Sequence, residues 1–377
     1  MKSPICAMLG IEFPLVAFSH CRDVVAAVSK AGGFGVFGAA NQSPESIDQE
    51  LKWIDDHVDG KPYGIDVLIP ENMATAGEKN VTYNSLESRV PPQHRKYAKD
   101  LLAKYGIEFE YTRAPNDRPQ PFDPGRALEV LDAAFAHPIK LIANALGVPP
   151  REMIEMGRKH GVPVAALVGA KEHALRQVAA GVDILVVQGG EAGGHCGEVS
   201  TMVLVPEVAR AIKPIRDVPI LAAGGIMNGR QMAACMAMGA SGVWTGSVWL
   251  ATVESETTEI FREKMIAASS RDAVRSRGRT GKPARQLRSV WTDAWDRSPD
   301  SPGALQMPLQ SLVSGEAFRA IDKAAAAGNQ RARELVSYFV GQGVGMIDGV
   351  KSAGAVVQEF KTEFIEAVEH MNELVGD

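Results

Sequence analysis

The sequence predicts an α/β fold: a closed (β/α)8 TIM barrel with an insertion after the third strand and a mostly helical C-terminal region. Three observations carry this expectation. Short β-rich apolar segments alternate with amphipathic helical ones along most of the chain, the pattern of right-handed βαβ units in a parallel sheet. Eight strand candidates can be counted, which suits closure better than an open doubly wound sheet. Helix-to-strand junctions repeatedly carry glycine, in KAGGFG, HGVPV, AGVDI and MGASGV, as C′ glycines do.

In chain order the strand candidates are Leu15–Phe18, Gly35–Phe37, Tyr63–Leu68, Ile139–Ala143, Val164–Val168, Ile184–Val187, Ile220–Ala223 and Gly242–Thr245. Helical segments follow at Asp23–Ala31, Pro44–Val58, Pro124–Ala136, Pro149–His160, Lys171–Ala180, Val205–Ala211, Gly229–Met238 and Glu254–Ala268. The insertion, Pro70 to Asp123, is rich in charge and proline, carries a helix around Gln93–Tyr105 and is placed to cover the barrel mouth. After about Ser270 the strand rhythm stops, and helical patterns return at Gly315–Ala327, Ala332–Val340 and Ala353–Leu374. Residues 1–270 are therefore expected to form the barrel. Residues 271–377 are expected to pack on it and line its substrate side rather than to stand as a separate domain.

Bulk properties favour a small-molecule partner. Forty basic side chains against 45 acidic ones give a net charge of −5, with no basic block long enough for a nucleic-acid track. Cys6, Cys21, Cys196 and Cys235 lie far apart without CxxC spacing, so neither a disulfide framework nor a zinc ribbon is indicated, and a reducing, cytoplasmic setting fits. The N-terminus lacks the layout of a signal peptide. Gln231–Val253 is uncharged over 23 residues, but its glycines, serines and threonine punctuate it as a helix, a turn and a strand rather than a membrane span. No HExxH, paired aspartates or metal-spaced cluster points to a metal. A homodimer is left open.

Barrel enzymes place their chemistry on loops after the strands. Three such loops stand out. LVVQGGEAGGHCG, Leu185 to Gly197, puts five glycines within nine residues beside one histidine, which lets backbone amides approach a bulky flat or anionic ligand. Gln188 faces the mouth there, and its amide suits a heterocycle edge. His195, with an ordinary pKa of about 6.5, can move a proton near neutrality. Glu191 can orient that imidazole or simply hold the turn, whereas Cys196 is a poor nucleophile candidate because adjacent residues usually diverge from each other. Ala223-Gly224-Gly225-Ile226 after strand seven and Thr245-Gly246-Ser247 after strand eight occupy the positions where barrels grip a phosphate, with glycine amides and a helix N-terminus. His20, after strand one, fits either a substrate contact or a turn that starts a helix.

Taken as an ordered set, these motifs resemble the nitronate monooxygenase family, formerly called 2-nitropropane dioxygenases. The resemblance runs from Pro4 to about Ala251, through Gln188-Gly189-Gly190-Glu191-Ala192-Gly193-Gly194-His195, Ala223-Gly224-Gly225-Ile226, Thr245-Gly246-Ser247 and KAGGFGVFGA. It implies FMN as cofactor, with Gly224, Gly225, Gly246 and Ser247 at the phosphate, Gln188 at the isoalloxazine, Gly193 and Gly194 along the flavin, and Ala223 and Thr245 also in the cofactor site. It implies His195 as catalytic base, and oxidation of alkyl nitronates or nitroalkanes by O2 to carbonyl compounds and nitrite. Two positions depart from the family. Ala17-Phe18-Ser19-His20 stands where Ala-Pro-Met is usual, and Asp66 stands where Asn is usual, so Phe18, Ser19, His20 and Asp66 are candidate substrate or flavin contacts. An NAD(P)H-dependent flavin reductase acting on a quinone or an enoyl-thioester is the main rival. For it, Arg275, Arg277, Arg279, Lys282, Arg285 and Arg288 would bind phosphates, unless they form an exposed cationic face. A flavin-binding protein without catalysis is a third reading.

Overall fold

The computed structural model describes residues 1–40, 42–69, 83–112 and 126–376. Its strands are β1 Leu15–Ser19, β2 Phe34–Gly38, β3 Tyr63–Val67, β4 Ile142–Asn144, β5 Val164–Val168, β6 Ile184–Gln188, β7 Gly194–His195, β8 Ile220–Ala223, β9 Gly242–Thr245, β10 Ala273–Ser276 and β11 Ala284–Leu287. Eight of them close into a barrel in the order β1-β2-β3-β4-β5-β6-β8-β9, with β9 pairing back onto β1. All barrel pairings are parallel. The expected (β/α)8 architecture is present.

Alternation along each strand decides what fills it, because successive side chains point to opposite faces. Val16, Phe34, Val36, Ala143, Ala165, Ile184, Val186, Leu221, Ala223 and Trp244 form one buried cluster in the lumen. Their neighbours, among them Tyr63, Ile65, Val67 and Val164, face the surrounding helices. A helix over Pro4–Leu9, too short to show a period in the sequence, contributes Ile5 and Leu9 to the lumen cluster. Ser3 caps it, Pro4 starts it and Gly10, at φ 70°, ends it. The uncharged run after Gln231 resolves into the helix Gly229–Ala237, a turn, β9 and a 3-10 turn over Ser247–Ala251. Among the described residues no helix is long and apolar enough to cross a membrane.

The C-terminal third differs from the expectation in one respect that matters to the site. Two strands, β10 and β11, interrupt the helices and pair antiparallel, and β11 pairs in turn with β7. The helix expected over Ala332–Val340 covers Gln330–Leu335 only. Beyond it the chain runs extended beside β11, where the Leu287 amide donates to the Tyr338 carbonyl (3.0 Å). Four-residue strands whose partners lie far away in sequence leave no periodic signal.

This region has its own core of Trp291, Trp295, Val313, Phe318, Ile321, Leu335 and Val344, which Leu101 and Leu102 of the insertion helix Pro92–Lys104 join. Tyr97 and Tyr111 tie the insertion down by donating to the carbonyls of Ala294 (2.7 Å) and Val313 (2.9 Å). Residues 70–82 and 113–123 of the insertion lie outside the described residues. The last helix, Ala353–Val375, returns to the barrel wall, burying Val356, Val357 and Phe360 with Val24, Val28, Met232 and Trp249.

Candidate active site

Gln188 ends β6, and the glycine-rich turn begins immediately. The Gly189 amide donates to the Ala223 carbonyl (2.9 Å) and the Gly190 amide to that of Val199 (2.8 Å), folding the loop against β8 and its own return limb. A Cβ on Gly189 would come within 2.1 Å of Thr201 Oγ1, so only glycine fits there. Glu191 settles its two readings: both of its oxygens accept from the Thr201 amide (3.1 and 2.9 Å), and Oε2 also from the Thr201 hydroxyl (2.9 Å). It caps the helix Thr201–Ile212, where a carboxylate meets unpaired amides and the positive end of the dipole. It holds the turn.

Beyond Gly193 the loop becomes β7. Gly194 has φ 75° and nothing within 4 Å of the position a Cβ would take, so this stretch of backbone borders open space. Register places His195 opposite Ala284 and Gly194 opposite Arg285. The buried Arg285 donates through Nε (2.8 Å) and Nη2 (2.6 Å) to the Gly190 carbonyl and through Nη1 to that of Ala273 (2.6 Å). A guanidinium thus pins the turn to the C-terminal region.

The exposed cationic face considered for residues 275–288 is present in part: Arg277, Lys282 and Arg288 are exposed, whereas Arg285 is buried and Arg275 and Arg279 are half-buried. The Arg279 guanidinium lies 3.6 Å from the Phe318 ring centroid. Arg275 pairs with Glu198 (3.1 Å), Arg288 with Asp293 (3.0 Å), and Arg277 donates to the Gly281 carbonyl (2.9 Å). Lys282 stays exposed, near His195.

His195 Nδ1 is buried and has no hydrogen-bond partner among the described residues, while the Phe339 ring lies 6.3 Å from the imidazole, centroid to centroid. Burial pushes its pKa down to about 4, the Lys282 charge adds to the effect, and the backbone of Pro283 opposes it. The imidazole is neutral at pH 7. The Cys196 thiol is directed to the Gly190 carbonyl (3.5 Å).

At the ends of β8 and β9, the amides of Gly224, Gly225, Ile226 and Gly246 find no acceptor among the described residues. Clustered amides without partners form an anion-binding concavity. Gly246, like Gly194, has nothing within 4 Å of a would-be Cβ. Ser247 Oγ accepts from the Gly341 amide (2.8 Å), which leaves its own proton to donate. Thr245 is less available than its position suggests: its hydroxyl donates to the Val16 carbonyl (2.9 Å) and accepts from Trp249 Nε1 (2.9 Å). The helix Gly229–Ala237 also gives up part of its N-terminus, because the Gly229 amide bonds Glu363 (3.0 Å). Loop amides, more than the helix end, would hold a phosphate.

Across the mouth, Phe18 stacks on Trp244 (6.1 Å) and meets His20 edge-on (5.1 Å). Ser19 accepts from the Cys21 amide (3.1 Å), and His20 Nδ1 lies 2.7 Å from the Gly38 carbonyl. Ser19 therefore serves the turn that starts the helix Arg22–Lys30, whereas exposed His20 ties that turn to the end of β2. Asp66, buried at the end of β3, has an oxygen without any partner. The side-chain amide of Gln188 makes no bond to a described residue. Orphaned polar groups at the ends of β3, β6, β8 and β9, with open backbone at Gly194 and Gly246, fit a ligand that has an anionic end and a flat polar ring. Sequence reasoning missed the supports Phe339 and Gly341. It saw Arg285 and Lys282 without their placement, because a two-residue strand and its distant partner give no local pattern.

Known proteins are similar to this chain over nearly its whole length. The family model described as nitronate monooxygenase matches residues 2–363. A Mycobacterium tuberculosis protein that carries the provisional name monooxygenase is 51% identical over 377 residues, all of both chains. The solved nitroalkane oxidase from Streptomyces ansochromogenes is similar with a TM-score of 0.76 and 26% identity, over 96% of this chain and 98% of that one. FabK from Thermotoga maritima is similar with a TM-score of 0.69 and 25% identity, over 98% of each.

Proposed function

The chain belongs to the nitronate monooxygenase family and is an oxidoreductase, and from that premise we propose that it is an FMN-dependent enzyme that oxidises alkyl nitronates with O2 to carbonyl compounds and nitrite. The observation that carries the reading is a neutral, half-buried imidazole whose Nδ1 is buried and unpartnered among the described residues, set between open glycine backbone and a cluster of unpaired amides. FMN bound there would supply the electron-accepting ring and the reaction with O2. The amides of Gly224, Gly225, Ile226 and Gly246 and the Ser247 hydroxyl would hold its phosphate. Gln188 would orient a polar edge of the ring, with Gly194 leaving room for its face.

His195 decides which form of substrate is taken. A folded pKa of about 4, against about 6.5 for a free imidazole, makes holding a proton roughly 3 kcal/mol harder, so pulling one from a carbon acid is disfavoured. A neutral imidazole still donates through its N–H, and Lys282 adds positive potential nearby. That pair suits a nitronate arriving as an anion. Engagement of Arg275, Arg279 and Arg285 with the protein takes up three of the six cations that the phosphates of a nicotinamide or coenzyme A could use, which weighs against the reductase reading.

The test is anaerobic mixing of FMN-loaded protein with an alkyl nitronate and, separately, with NADH and NADPH, while flavin absorbance is followed. Bleaching by the nitronate, with nitrite release once air is admitted, is expected. Rapid bleaching by either nicotinamide would sink the proposal.

A further inference from the structure

On the lumen side of β3 sits a carboxyl that no described residue answers. Tyr63, Ile65 and Val67 pack outward against helices, so alternation turns Asp66 into the barrel, one residue from the C-terminal end of its strand. Register sets it beside Gly38 of β2 and Ala143 of β4, neither of which offers a polar side chain. Asp66 is 4% exposed, and its Oδ1 has no hydrogen-bond partner among the described residues. No polar side chain around it bonds to it among the described residues. Asn144 is engaged with the backbone of Ile69 (3.0 and 3.1 Å), and His20 lies against the Gly38 carbonyl.

Among the described residues, no charge on the neighbouring strands faces Asp66 to hold it ionised. β2 and β4 carry no titratable residue, and on β1 the nearest such group is His20, just beyond the strand end. On the opposite face of β3, Asp55 pairs with His137 (2.6 Å) and accepts from the Tyr63 hydroxyl (2.6 Å). Burial alone acts on the carboxyl, pushing its pKa up to about 8. At neutral pH it is an acid that has a proton to donate, and buried polar groups without partners in a ligand site are ordinarily satisfied by the ligand.

We infer that Asp66 is a ligand-holding residue, whose protonated carboxyl donates a hydrogen bond to an electron-rich oxygen of the molecule bound in the barrel mouth and whose ionisation releases that oxygen. The inference rests on the proposed function for its ligand, and the oxygen can belong to the cofactor ring or to the nitro group of the substrate. An ionised Asp66 would face that oxygen with an unscreened negative charge and no proton. Ligand binding should therefore weaken as alkalinity rises, for a reason located on β3 rather than at His195.

Two binding arms separate the sources, each run from about pH 6 to about pH 9.5 to bracket the ionisation. One measures FMN affinity of the apoprotein by fluorescence; the other measures the anaerobic affinity of the FMN-loaded protein for ethylnitronate from absorbance. Wild type should lose about tenfold in affinity, some 1.4 kcal/mol, in the arm to which the contact belongs. Asp66→Asn, which donates without ionising, should abolish that loss, and Asp66→Leu should bind weakly at every pH. Independently, infrared difference spectra of the full chain should show the band of a protonated carboxyl disappearing over the same interval in wild type and missing from Asp66→Asn. That readout needs neither flavin nor nitronate, so it separates failure of the Asp66 assignment from failure of the functional reading. An alkaline loss that survives in Asp66→Asn, a loss in neither arm, or no carboxyl band in wild type would each overturn the inference.

Discussion

Glu191 and Asp66 both bring a carboxyl to the C-terminal end of the barrel, and the protein treats them in opposite ways. Glu191 receives the amide and the hydroxyl of Thr201 and starts a helix. Asp66 receives nothing, although it is the more deeply buried. The same division runs through the rest of the mouth. Arg285, Thr245 and Ser19 spend their polar atoms on protein, whereas His195 Nδ1 and the amides of Gly224, Gly225 and Gly246 do not. Satisfied groups build the scaffold. Unsatisfied ones are held ready for a ligand, at a cost to stability that the scaffold must bear.

The largest effect that can break this division is on turnover. His195→Ala should lower kcat/KM for an alkyl nitronate, followed as nitrite, by about 10²–10⁴ while leaving the denaturation midpoint near that of wild type. A large fall in the midpoint with activity little changed would put His195 among the scaffold groups.

Asp66→Asn comes next, and its sign reverses the usual expectation for a buried mutation. The folded pKa of about 8 lies above the unfolded value of about 3.9, so the native state binds more protons between them and stability falls as pH rises across that window. The variant should escape this loss. It should be more stable than wild type by a few kcal/mol at pH 9, and about equal to it near pH 4, in urea titrations. A variant less stable than wild type at pH 9 would mean that Asp66 has a partner.

Glu191→Ala should move the other way, losing about 1–2 kcal/mol by stripping the cap from the helix Thr201–Ile212, read as a lower urea midpoint with an unchanged slope. Smallest is Gly194→Ala. Open space spares it a clash, but φ 75° makes a side chain cost about 1 kcal/mol, and FMN affinity should fall with it because the new methyl enters the ligand space. An unchanged affinity would remove Gly194 from the flavin wall.

How much of this could be read from the residues depended on distance along the chain. Seven of the eight barrel strands are legible to within about two residues because each carries its own apolar run, and four of them, β2, β5, β6 and β9, follow a helix-closing glycine. The fourth was placed early: Ile139 and Leu141 are buried, but the ladder engages only Ile142–Asn144. The helix start at Thr201 was missed by four residues, because its cap comes from Glu191, ten positions earlier, and Pro206 inside it argued against an early start. Glu254 was taken for a helix opening, whereas its carboxylate accepts from the Ala353 amide (2.9 Å) and the helix begins at Glu259, capped by Thr258. At the site, the positions of His195, Gly224, Gly225 and Gly246 followed from barrel logic. The sheet that carries His195 did not, because β7, β10 and β11 meet only through tertiary folding.

The central claim is that the mouth takes a ready-made anion onto a neutral His195. Its most direct test is kcat/KM for ethylnitronate against nitroethane under one set of conditions, with nitrite as the common product, in wild type and His195→Asn. The account predicts that wild type favours the nitronate by about 10² or more, and that the variant, which keeps a donor, loses less on the nitronate than His195→Ala does. Nitroethane consumed as efficiently as ethylnitronate, with that activity abolished in His195→Asn, would contradict it and make His195 a base.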